Sequence, residues 1–392
     1  MSATSAHISF VDIAKALALY LVIVGHAVPR ASMIFRFIFT FHMPVFFFLS
    51  GYCSLRPGNI RKKASSLLLP YLIFSLVGIC IMLIFRDWRP EIGIREIVEK
   101  YLYFTQPPAL GPLWFLPCMF WASVGYSAIL TLIQKLEKWF EGSASVLLLV
   151  IMCLLALNGA HMYQYFLVPV YQRLPWKLDS AVTAIVFMLE GYLCRRAGLF
   201  LPDGFNDTGR NIGTPGDCIE NSGCGSSRYE SSSSGNNRST PDRTSNARLC
   251  QLPLRVVIFV LLTGLVVIFG TKNGYVNICD MEYGNLLYYH IAAFAGCLWL
   301  CMIACFLDRK LSSPALLPFK TKLLWLGKNS LPIFAIHTFF LWYIVKAYGM
   351  LISNPMRYLP DGPAAFILPL LVYAACVPVA ILYQRLKRRK LS

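Results

Sequence analysis

Charge is scarce in this chain, and acidic charge scarcest: 14% of the 392 residues are charged, with 19 Asp and Glu against 36 Lys and Arg. No single soluble domain of this length normally carries so little charge beside 57% hydrophobic and 14% aromatic residues. Paired or metal-type cysteine spacing is missing as well. The 13 Cys are scattered, mostly one per apolar run, and read as small core residues with no metal site implied. No short apolar segment followed by a small-residue cleavage site opens the sequence, so the first apolar run is expected to stay as a membrane span. A sustained internal repeat is also lacking, which disfavours an inverted-repeat transporter.

Long apolar runs are what the chain does have. Segments of about twenty residues, enough to cross a bilayer's hydrocarbon, fall at 8–28, 37–55, 66–85, 113–133, 146–164, 178–194, 253–271, 285–306, 323–345 and 364–383. The expected fold is all-α, a polytopic membrane protein with about ten transmembrane helices. One membrane domain covers 8–385, interrupted at 202–251 by a stretch of Gly, Ser, Asn, Asp and Thr too polar to bury a core and expected to be a disordered linker. Residues 386–392 form a basic tail. Isoleucines alternating with charges suggest a short surface helix within 87–100.

The net charge of +17 would suggest nucleic acid in a soluble protein, but these basic residues sit in short loops beside apolar runs and no nucleic-acid partner is expected. Even-to-odd connections carry the bias: Arg56, Arg61, Lys62 and Lys63; Arg195 and Arg196; Arg309, Lys310, Lys320 and Lys322; and the tail. Cytoplasmic loops are the Lys- and Arg-rich ones. Both termini and the linker are therefore predicted to be cytoplasmic, in a protein of the plasma or inner membrane.

Polar residues inside the spans are the candidate chemistry, because charge at that depth is costly and usually serves a site. Ten residues separate Lys15 from His26 in the first span. Eleven steps of 100° make three turns plus about 20°, so the two share a helical stripe roughly 16 Å apart along the axis. Asp12 falls within about 40° of the same stripe. With the first span running outward and the second inward, His26 and His42 both lie in the outer half and can be neighbours. In the ninth span, read as one helix running outward from Leu323, His337 lies about two-thirds of the way across on the face of Ser330, with Lys328 opposite. His161 and His290 fall at outer ends and are read as structural.

The run Phe10-Val11-Asp12-Ile13-Ala14-Lys15 followed by Gly25-His26 resembles the opening of the acyltransferase 3 family of integral membrane acyltransferases. The segment from Phe39 to Tyr52, with His42-Met43-Pro44 at its centre, is similar to that family's second helix, particularly in its sugar O-acetylase branch, the fucose 4-O-acetylase-like proteins. Further echoes are Leu69-Pro70-Tyr71, Leu113-Trp114-Phe115-Leu116, Gly191-Tyr192 before Arg195-Arg196, and Leu326-Gly327-Lys328-Asn329-Ser330-Leu331. The resemblance implies one catalytic membrane unit that takes acyl-CoA from the cytoplasm and transfers its acyl group to a hydroxyl of a sugar or glycolipid on the far side. Acetyl is the group the resemblance implies, with succinyl left open. Lys15 stands where the family more often has Arg, and no soluble esterase-like domain of the kind some members carry is expected.

A thioester is already activated, so its transfer chiefly needs a base for the incoming hydroxyl and donors for the carbonyl oxygen. His26 is the expected base, or a transient acyl carrier, and His42 would orient the acceptor or donate to the oxyanion. Lys15 would contact the diphosphate of CoA or pair with Asp12, and Arg61, Lys62 and Lys63 would meet CoA phosphates at the cytoplasmic mouth. Ser50, Ser330 and His337 are supporting candidates; Ser50 lacks the strand-turn-helix setting of a nucleophile. No permanently bound cofactor is expected, only acetyl-CoA or another acyl-CoA as donor, a carbohydrate or glycolipid acceptor, and the lipid bilayer. The alternatives are a sugar-lipid transporter or flippase with a His proton relay, its helices broken at Pro44 and Pro332, or a noncatalytic partner of a polysaccharide export system.

Overall fold

Apolar length and the absence of strand-like alternation make every described element helical. The computed structural model describes residues 8–84, 110–136, 174–200, 243–354 and 357–389. Ten α-helices occur among them: α1 (Ser9–Ala27), α2 (Met33–Cys53), α3 (Ile60–Ile84), α4 (Phe115–Leu136), α5 (Leu178–Arg196), α6 (Arg243–Asn273), α7 (Leu286–Lys310), α8 (Leu317–Lys328), α9 (Ser330–Leu351) and α10 (Pro363–Arg389). Among the described residues eight segments are long and apolar enough to cross a membrane, which makes this a polytopic membrane protein. The predicted fifth span at 146–164, the surface helix within 87–100, His161 and residues 201–242 of the linker stretch lie outside the described residues. Helix α6 takes in 243–251 of that stretch, and α10 runs through most of the tail to Arg389.

Burial ranks the helices. In α1, 72% of the most apolar stretch is buried within the protein, against 17% in α6. The first helix is thus the centre of the bundle, touching α2, α7, α8, α9 and α10, while α6 leaves Leu254, Val256, Leu261 and Ile268 exposed to lipid. Two side chains tie α10 to α1: the Tyr373 hydroxyl donates to the Ala16 carbonyl at 3.2 Å in the core, and that of Tyr20 to the Phe366 carbonyl at 2.6 Å at the surface.

Helix α5 is too polar to count among the eight, carrying Asp179, Glu190, Arg195 and Arg196. It is sheathed by protein instead, and its interface with α2 is the most extensive in the bundle. Glycine permits that approach from both sides: a Cβ on Gly51 would overlap the Met188 backbone, and one on Gly191 the Phe48 carbonyl. Such small-residue contacts let helix backbones meet where lipid supplies no hydrophobic drive. The pair Glu190 and His290, 2.6 Å apart, lies between α5 and α7, so polar groups of α5 are met by protein groups.

The single helix expected over 323–345 is corrected by the structure, which divides it into α8 and α9 at Asn329. Pro332 explains the break. Its ring would clash with the carbonyl of Lys328 in a continuous helix, whereas in the first turn of a new helix the missing N–H costs nothing. The Asn329 side chain turns back to the Trp325 carbonyl at 2.8 Å and caps α8. Lys328 therefore belongs to a different helix from His337, and their opposite phase no longer has meaning. Pro44, in contrast, sits inside an unbroken α2.

Candidate active site

Three histidines meet where α1 ends. His26 occupies the last turn of α1, and Gly25 beside it is pressed against Ile38 and Phe39 of α2 so closely that an added Cβ would lie 2.9 Å from the Phe39 ring. The His26 ring packs edge-on to Phe39 with centroids 5.7 Å apart, and Phe39 in turn lies 4.5 Å from His42. From the other side His337 of α9 reaches to 5.4 Å of His26, ring to ring. His337 is fully buried and His42 nearly so, while His26 is partly open to a cavity.

Tautomers follow from the partners. Nδ1 of His42 lies 3.0 Å from the Ile38 carbonyl and Nδ1 of His337 lies 2.7 Å from that of Phe334. A carbonyl only accepts, so each Nδ1 carries the proton and each neutral ring keeps Nε2 as an acceptor. Nε2 of His337 is buried without a hydrogen-bond partner, which is costly unless a donor arrives.

The cavity beyond His26 has a volume of about 510 Å³, in the range of small-molecule sites. His26, His42 and Thr338 line it together with the aromatic rings of Trp114, Tyr275, Trp342 and Tyr358 and the charged groups of Arg30, Asp280 and Arg357. One wall is the loop between α6 and α7. A tight turn closes it, Asn277 and Glu282 exchanging backbone hydrogen bonds of 2.7 and 3.0 Å. Buried Lys177 supports the turn from below by donating to the Cys279 carbonyl at 2.9 Å, and the Ser180 hydroxyl donates to Ile278 at the same distance. Burial raises the Tyr275 hydroxyl above its ordinary pKa, with the adjacent Arg30 guanidinium opposing the shift.

A second polar group forms near the opposite end of α1. The ammonium of Lys15 lies 3.4 Å from the carboxylate of Asp12, Asp12 being buried and Lys15 about one-third exposed. Lys63, in the first turn of α3, is half-buried. Arg195 is buried over the face of Tyr52, 5.3 Å from the ring centre, with Nη1 lacking a partner.

Against protein-family models, the chain matches that of the acyltransferase domain termed acyltransferase 3 over residues 8–383. That match covers nearly the whole sequence. The chain belongs to the acyltransferase 3 family. No curated protein and no solved structure matches it. It is therefore a membrane O-acyltransferase, and its one family domain extends across the stretch predicted as a linker.

Set against the acyltransferase, the sequence-predicted residues divide into two groups and a remainder. His26, His42 and His337 come together from three helices. Asp12 and Lys15 pair at the other end of α1, while on α3 Lys63 is half-buried and Arg61 and Lys62 of the same turn are exposed. Ser50, two turns beyond His42 on α2, and Ser330, two turns before His337 on α9, do not line the cavity. Ser330 does keep the shared face with His337 that its spacing predicted, seven residues being close to two turns. Sequence reasoning missed Arg30, Arg357, Tyr275 and the turn Ile278–Asp280. Only Arg30, four residues past His26, had a local signal. Among the described residues, no group of three or more His, Cys, Asp or Glu is arranged to hold a metal ion.

Proposed function

We propose that this acyltransferase moves an acyl group, acetyl in the first instance, from acyl-CoA entering at the Lys15 end of α1 to a hydroxyl of a sugar or glycolipid held in the cavity at the His26 end. The observation that carries the reading is the placement of His26 on the wall of an aromatic-lined cavity, with Lys15 on the same helix three turns away. The Lys and Arg bias of the loops supports a cytoplasmic Lys15 end, both termini inside, and a cavity on the far side.

In the transfer, neutral His26 takes the proton from the acceptor hydroxyl as its oxygen forms a bond to the thioester carbonyl carbon. The tetrahedral intermediate collapses by breaking the carbon–sulfur bond, and the CoA thiolate leaves with the proton returned by His26. His337 orients the base. An N–H of His26 turned toward the vacant Nε2 of His337 fixes the tautomer whose other nitrogen faces the cavity, the role a carboxylate plays in a hydrolase triad. His42, with Nδ1 committed to Ile38, offers Nε2 as an acceptor, which suits holding a substrate hydroxyl better than stabilising an oxyanion. Lys15, paired with Asp12, and Lys63 of α3 meet the phosphates of the donor, with Arg61 and Lys62 at the rim.

Radiolabelled acetyl-CoA supplied to the purified protein with a carbohydrate acceptor extract should leave label on carbohydrate or on the chain. A transporter or flippase would leave it in neither, and that result would remove the reading. Replacement of Lys15 by Ala should raise the KM for acyl-CoA with a smaller change in turnover, whereas Lys15→Arg should keep most activity because the charge is retained. Equal KM values for wild type and Lys15→Ala would place the donor elsewhere.

A further inference from the structure

The cavity's charge is uneven. Its two arginines come from remote parts of the sequence, Arg30 just beyond α1 and Arg357 just before α10, and both are exposed at the cavity. A backbone hydrogen bond fixes their relation: the Leu359 N–H donates to the Ala27 carbonyl at 2.7 Å, which pins the Arg357 segment to the residue following His26. Each guanidinium is stacked on a tyrosine of the wall, Arg30 at 5.5 Å from Tyr275 and Arg357 at 5.6 Å from Tyr358. Stacking leaves the edges of a guanidinium, where its N–H donors lie, free to bind an oxyanion. Among the described residues the one acidic member of the lining is Asp280, which is engaged with the side-chain amide of Asn277 at 2.5 Å.

Resting on the acyltransferase reading, we infer that the acceptor is an anionic carbohydrate, one that carries a carboxylate or phosphate near the hydroxyl to be acylated and presents it to Arg30 and Arg357. The aromatic rings supply faces for a sugar, and the two arginines supply the selection for charge. A neutral sugar would leave two cations at the mouth with no partner on the substrate side. An acidic one gains charge-assisted and potentially bidentate contacts while its hydroxyl reaches His26. The anion has two chemical sources: a uronic-acid carboxylate within a polysaccharide, or the phosphate that joins a sugar to a lipid or nucleotide. The pocket chemistry is common to both.

Calorimetric titration of the purified protein in lipid nanodiscs, without acyl-CoA, tests this with three probes: methyl glucoside, methyl glucuronoside and glucose 1-phosphate. At least one anionic probe should bind about tenfold or more tightly than the neutral one. The advantage should shrink in about 0.5 M salt, where charge interactions at an open site are screened within a few ångström. Arg30→Gln combined with Arg357→Gln should abolish the preference, and the double Lys variant should keep part of it. Preference for the glucuronoside alone assigns an acidic polysaccharide, and preference for the phosphate alone a lipid- or nucleotide-linked sugar. Equal binding of all three probes to the wild type overturns the inference, as does a preference that survives both Gln substitutions. Because binding is read without the donor, failure of label transfer from acetyl-CoA would count against the proposed chemistry and leave the anion preference standing.

Discussion

His26→Ala is expected to lower the rate of acyl transfer by about 10² to 10⁴, the usual consequence of removing a general base. The loss should appear in turnover more than in the KM for acyl-CoA, because the donor phosphates are met some three helical turns away. Three features make the effect large. His26 is the least buried of the histidines at the cavity, its backbone is held where Gly25 is pressed against α2, and His337 and His42 are each committed through Nδ1 to a carbonyl. His337 is fully buried and away from the cavity lining, and His42 is almost wholly buried, so neither presents a ring to the acceptor as openly as His26 does. His337→Ala should cost less than His26→Ala and again fall on turnover, because it removes the orientation of the base and leaves the base in place. Purified variants should be compared at saturating and limiting acyl-CoA, with protein amount and monodispersity matched. Near wild-type turnover in His26→Ala would mean the base lies elsewhere.

Gly191→Leu is expected to abolish the folded bundle. A leucine there would drive four carbons into the Phe48 carbonyl region at the largest helix contact in the protein, where the atom in the way is backbone and cannot rotate aside. Overpacking a close-packed core costs about 1–3 kcal/mol even when side chains can yield, and rigid backbone raises the cost. Separation of α5 from α2 would also expose Glu190 and Arg195 to lipid, which adds a desolvation cost. Gly264→Leu on α6, where an added Cβ meets nothing within 4 Å, is the matched control and should be tolerated. The yield of monodisperse protein from detergent and its thermal aggregation midpoint are the measurements. A Gly191→Leu protein that purifies and melts like wild type would show that α2 and α5 can separate without loss.

Sequence by itself determined the class of molecule and the ingredients of its chemistry. Apolar runs of the required length specify membrane helices with little help from context, because lipid demands that each span satisfy its own backbone hydrogen bonds. The helical period alone places Lys15 and His26 on one stripe, and the runs Phe10 to Lys15 and Phe39 to Tyr52 suffice for the family. Helix boundaries set by a single residue were less legible: Pro332 stands in the first turn of α9 and does not merely bend a longer helix, since a proline at a first turn and one at a kink read alike until the partner packing is known. Only the tertiary structure decided which polar residues converge. His337 reaches His26 because α9 packs against α1, Arg357 reaches Arg30 because one backbone bond joins Leu359 to Ala27, and the loop around Ile278 becomes a cavity wall because buried Lys177 and Ser180 hold it up. Such contacts join residues up to about 330 positions apart. Periodicity describes one helix at a time, and the site is made where several helices end together.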